Sequence, residues 1–215
     1  MSKSQNNSLL IITAIAAMLG GLWLANTNEP KELTPPAIQG AIYPAAKAIK
    51  PFSLVNHLGQ EFTERNFKNH WSLIFVGYTQ CPDVCPTTLG LMAEVYNEMS
   101  RQNITPPEII FLSIDPERDT VELMKQYVEY FNPDFIGVTG DKAQIDKLSQ
   151  NLNAVYRKAP GLNGKITEND YLMDHSSALM LVNPDGKLQS ILTAPHSVKT
   201  VVESIFSSQA YYKTL

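Results

Sequence analysis

The stretch WSLIFVGYT, residues 71–79, is a nearly unbroken apolar run of strand length. Such a run reads as a strand buried in the middle of a sheet. Two more follow, EIIFLSID (108–115) and DFIGVTG (134–140). Between and after them the apolar period changes to three-and-four. Leu89, Met92, Ala93, Tyr96 and Met99 mark one amphipathic helix, TVELMKQYVEYF a second and DKAQIDKLSQNL a third. Asp119, with Glu122 three residues on, resembles a capping box opening the second helix, with Asp in place of Ser or Thr. FSLVNHLGQEFTERNF (52–67) reads as a short hairpin turning at Gly59, and SSALMLVNPDGKLQSIL (176–192) as another turning at Asn-Pro-Asp-Gly. SVKTVVESIFSS closes the pattern as a helix. The class is therefore α/β, a mixed sheet flanked by helices.

The N-terminal region is different. LLIITAIAAMLGGLWLA, Leu9 to Ala25, carries no charge over 17 residues, the low end of what crosses a bilayer. Trp23 stands where a cleavage site needs a small residue, which favours an uncleaved signal anchor, a single transmembrane helix. Lys3 before the run, with Glu29 and Lys31 after it, favours a cytoplasmic N-terminus. The expected location is a bacterial inner membrane, single-pass, with the C-terminal domain in the periplasm. Residues 26–50 hold four prolines and no steady period. The expected division is an anchor over 1–28, a linker over 29–50, a folded domain over 51–208 and a tail over 209–215. A net charge of −4 with scattered Lys and Arg gives no reason to expect a nucleic-acid partner, and none is expected. Two cysteines do not make a disulfide scaffold.

Those two cysteines lie in GYTQCPDVCPTTL, between the first buried strand and its helix. This order of elements, with the pair in that place, is the layout of a thioredoxin-like domain. Unpaired N–H groups and the helix dipole at such a junction favour thiolate over thiol. Pro86 disfavours helical angles at Cys85, so the segment between the cysteines is expected to be a turn. A turn of this span can bring Cys81 and Cys85 together on a shared metal or in a redox-active disulfide. Inert burial as two small apolar residues is the third reading. Spacing alone does not choose among them.

VGYTQCPDVCPTTL, FLSIDPERDT and YLMDHSSALMLVNPDG, in this order, resemble the SCO/SenC family of copper-delivery proteins from about Phe52 to residue 206. The resemblance implies a copper site made by Cys81, Cys85 and His175, holding one copper per chain as Cu(I), Cu(II) or both. It implies a membrane-anchored metallochaperone for the dinuclear copper centre of cytochrome c oxidase, and no enzymatic turnover. The expected partners are the oxidase subunit that carries that copper and an upstream periplasmic copper donor. The alternative is a thiol-disulfide oxidoreductase that keeps the subunit's cysteines reduced. Tyr78 departs mildly from the pattern, since many relatives have phenylalanine there.

Copper(I) is soft and suits two thiolates with an imidazole, whereas a structural zinc site would want a fourth ligand. Asp83 and Asp174, beside the ligands, are candidates to orient them from the second layer, with solvated carboxylates as the plain reading. Met173 lies two residues from His175 and so on the same side of an extended chain, as packing or as a soft ligand. His57, His70 and His196 read as surface or packing residues. Asp115, Glu117 and Asp119 faintly resemble a calcium loop but lack its glycine and distal glutamate.

Overall fold

The structure, a computed structural model, describes residues 12–22, 34–161, 163–167 and 170–214. Helix α1 covers residues 12–22, about 16 Å at ~1.5 Å per residue. Among the described residues no helix is long and apolar enough to cross a membrane. Leu9–Ile11 and Trp23–Ala25, the two ends of the apolar run, lie outside the described residues, as do Lys3, Glu29 and Lys31.

Residues Pro35–Leu215 form one compact unit. Its strands are β1 (Gly40–Ala48), β2 (Leu54–Asn56), β3 (Glu61–Phe62), β4 (Ser72–Gly77), β5 (Glu108–Ser113), β6 (Ile136–Thr139), β7 (Tyr156–Pro160), β8 (Tyr171–His175), β9 (Leu179–Val182) and β10 (Lys187–Leu192). Its helices are α2 (Val84–Arg101), α3 (Val121–Phe131), α4 (Lys142–Asn151) and α5 (Val198–Tyr212). Eight strands make one sheet in the order β1-β10-β9-β4-β5-β6-β2-β3, and β7 pairs with β8 in a separate ribbon.

The three apolar runs are neighbours at the centre of the sheet. β4 is buried at every position and runs parallel to β5, which runs parallel to β6. Parallel neighbours need a crossover, and α2 and α3 supply the two here. Leu89, Met92, Val95 and Met99 of α2 are wholly buried, so the three-and-four stripe is the face laid on the core. Both expected hairpins are present. β2 pairs with β3, and β9 with β10, each antiparallel. Gly59 (φ 75°) and Gly186 (φ 70°) take left-handed angles in their turns, which cost a glycine nothing.

Four expectations change. The linker set at 29–50 contains a strand: β1 pairs antiparallel with β10 and buries Ile42 at the sheet edge. Its period is broken by a register shift between Ile42 and Lys47, next to Pro44, which hides it from pattern reading. The tail set at 209–215 is helical through Tyr212. Cys85 is helical too, because α2 begins at Val84. Pro86 then sits in the first turn, where its missing N–H would have had no partner in any case. Finally, Thr120 caps α3 by accepting from the Leu123 N–H, and Asp119 is engaged elsewhere.

Candidate metal centre

The centre forms where β4 ends. The chain leaves the sheet at Gly77 and turns, with the Cys81 N–H donating to the Tyr78 carbonyl at 3.3 Å. It then enters α2, so Cys85 lies in the first helical turn and its N–H donates to Cys81 Sγ at 3.4 Å. Cys85 is wholly buried and Cys81 half-buried, and both are free thiols. A side chain at residue 77 would block this arrangement. A Cβ built there would fall 2.7 Å from Cys85 Sγ and 2.8 Å from Phe111 Cε2. A lone glycine inside an apolar strand is the signal of such a close approach, and it was available in the sequence.

The third member comes from the ribbon. His175 ends β8, with Nε2 at 3.5 Å from Cys85 Sγ. The ligand atoms of Cys81, Cys85 and His175 all lie within 4.8 Å of one another. The imidazole stands edge-on to Phe75 (5.9 Å between centroids) and Tyr78 (6.2 Å). Its Nδ1 lies 3.1 Å from the Ser176 carbonyl. A carbonyl only accepts, so Nδ1 donates there, and Nε2 is the ring nitrogen that faces the sulfurs.

Charge is divided unevenly between the thiols. The Cys85 thiol donates to Cys81 and lowers its pKa, against the opposing effect of burial. His175 and the backbone N–H groups of Asp83 and Cys85 add to the lowering. Holding that bond and buried itself, Cys85 is pushed upward. The pair is therefore one accessible thiolate with a buried thiol behind it. Two sulfurs and an imidazole nitrogen on one spot are a donor set for a soft, low-coordinate metal ion.

The two carboxylates expected to orient these ligands do other things. Asp83 is exposed and makes no side-chain cap; its contribution is its backbone N–H toward Cys81. Asp174 points outward and pairs with Arg157 at 3.0 Å, both well exposed. Strand alternation explains this, since neighbours of an inward His175 face away. The Ser176 carbonyl holds the ring instead. Met173 is buried in the core, 7% exposed. The other histidines have partners of their own. His57 Nδ1 accepts from the Gly137 N–H, His70 meets Glu108 at 3.2 Å, and His196 meets the Ser177 carbonyl at 2.8 Å.

DPERDT builds the support under the cysteine turn. Asp119, 1% exposed, accepts from the Thr79 N–H (3.0 Å), the Thr79 hydroxyl (2.6 Å) and the Ser113 hydroxyl (2.6 Å). It thus ties the end of β5 to the turn after β4. The spacing of Asp119 and Glu122 predicts a helix cap; the contact with Thr79 spans 40 positions and leaves no local trace.

A family model described as SCO1/SenC matches residues 41–209. The bovine (Bos taurus) mitochondrial SCO2 homolog is 32% identical over 96% of this chain and 77% of its own length. A SCO2-like protein of Rickettsia typhi is 34% identical over 94% of this chain and 97% of its own. Among solved structures, Arabidopsis thaliana ScoI with copper bound superposes with a TM-score of 0.70 at 30% identity. That match covers 78% of this chain and all of the other. The thioredoxin-like mixed sheet flanked by helices is the fold of these Sco structures.

Proposed function

This chain belongs to the SCO1/SenC family, and from that premise we propose that it is a copper metallochaperone for cytochrome c oxidase assembly. The observation that carries the proposal is the convergence of Cys81, Cys85 and His175 within 4.8 Å. Copper is the cargo. Two thiolates with one imidazole suit Cu(I) and tolerate Cu(II), and one such set per chain holds one ion. Cys81 is the accessible sulfur, suited to exchange with a partner's ligands, and Cys85 and His175 retain the ion from behind. The receiver is the copper-bearing oxidase subunit and the giver a periplasmic copper donor. The chain is held to the bacterial inner membrane by the apolar run from Leu9 to Ala25, with the domain in the periplasm. Exposed Ile12, Ile15, Met18, Leu19 and Leu22 on α1 support that anchor.

Thiol-disulfide exchange with the oxidase subunit is a second reading, favoured by the lowered pKa of Cys81 beside Cys85. The two readings part at His175. Exchange needs an attacking thiolate and a resolving thiol, and no imidazole ligand. Anaerobic titration of the reduced chain with Cu(I) against a competing chelator is expected to give one ion per chain. His175→Ala should weaken that binding by about tenfold or more, while thiol-disulfide exchange persists, since the Cys85 thiol remains the main cause of the lowered Cys81 pKa. A substitution that spares copper affinity and abolishes exchange would reverse the order of the two readings.

A further inference from the structure

We infer that Arg118 is a positioning residue that fixes His175 over the cysteine turn; the inference rests on the copper reading above. A two-stranded ribbon is marginal on its own, and β7–β8 is not part of the eight-stranded sheet. Something must dock it. Tyr171 opens β8 and His175 ends it, with Tyr171, Met173 and His175 on one side of the strand.

Arg118 grips that strand at its first residue. Its guanidinium lies 3.6 Å over the Tyr171 ring, and Nη1 donates to the Tyr171 carbonyl at 3.0 Å. The same Nη1 reaches Gln80 Oε1 at 3.3 Å, one residue before Cys81. Nε is paired with the buried carboxylate of Asp115, which also accepts from the Tyr171 hydroxyl at 2.7 Å. Tyr78 is also near, 5.6 Å from ring centroid to guanidinium carbon. One side chain therefore touches the loop that carries Cys81 and the strand that carries His175. Its Nη2 is buried and has no hydrogen-bond partner among the described residues. The group is held by its bridge and its stack. Lysine cannot reproduce a planar fork that stacks and bridges at once.

The experiment compares Arg118→Lys in the wild-type and His175→Ala backgrounds of the reduced full chain. Cu(I) affinity is measured by chelator competition, and the metal-free His175 ring is followed by NMR contacts to Phe75 and Tyr78. Arg118→Lys is expected to weaken copper binding by about tenfold when His175 is present, and by less than about twofold in His175→Ala, as coupled residues do. The ring contacts should weaken in the metal-free protein while the melting midpoint holds. Tyr171→Phe, which keeps the stacked ring, should bind copper as the wild type does, and Tyr171→Leu should match Arg118→Lys. That pair carries the test if Arg118→Lys does not fold. Equal losses in both backgrounds, or undisturbed ring contacts, would overturn the inference. A wild-type chain that binds no copper sinks the copper reading instead, and the metal-free ring contacts still decide the role of Arg118.

Discussion

Gly77 has no side chain, and the sulfur of Cys85 lies where one would begin. That single absence lets a buried strand end directly against a buried thiol. Gly77→Ala would press a methyl group against Cys85 Sγ on one side and the Phe111 ring on the other. Neither can yield easily, since both side chains are wholly buried. The expected cost is about 1–3 kcal/mol of stability, measured by urea unfolding, as for other overpacked cores. Copper affinity should fall as well, because the displaced sulfur is a ligand. Unchanged affinity with lowered stability would mean that Cys85 does not hold the ion. The same scale explains why Asp174, adjacent to a ligand, is not part of the site. One step along a strand reverses the side, and Asp174 meets Arg157 in solvent.

At the scale of elements, the edge formed by β2, β6 and α3 depends on a neutral histidine. His57 Nδ1 accepts from the Gly137 N–H at 3.1 Å and the His57 N–H donates to the Gly137 carbonyl at 2.7 Å, joining the turn after β2 to β6. Burial lowers the His57 pKa; Glu129 opposes the lowering and Lys125 adds to it, both from α3. A folded-state value below the unfolded one near 6.5 means that the unfolded chain binds the proton more readily. This contribution is therefore intact above about pH 6.5 and lost as pH falls toward the folded value. Melting midpoints should drop between pH 7 and pH 5, and by less in His57→Gln. Parallel curves for the two proteins would remove His57 from the explanation. Elements such as β4, β5 and α2 were legible because burial imposes a continuous or periodic apolar code on them. β1 was not, since its run is interrupted beside Pro44 and its pairing with β10 is split by a register shift between Ile42 and Lys47. β7 and β8 were also missed: most of β7 is exposed, and the ribbon is placed by contacts such as Arg118–Tyr171 that join distant positions. The cysteine pair and His175 could be assembled from the family motifs, and the lone Gly77 in its apolar strand is a local signal, whereas the Ser176 carbonyl and Asp119 required the fold.

The whole molecule works by holding two unlike pieces at one end of a stiff sheet. The cysteine turn is fixed by β4, α2 and the buried Asp119 bonds. The histidine arrives 90 positions later, on a ribbon outside the main sheet. The sulfurs thus come from the main sheet and its helix, and the imidazole from a separate ribbon docked against them. The direct test is X-ray absorption at the copper edge on the loaded, reduced chain, wild type beside His175→Ala. The account predicts two sulfurs and one imidazole nitrogen around copper in the wild type, with the nitrogen lost in the variant. A sulfur-only shell in the wild type, or a nitrogen that survives His175→Ala, would contradict it.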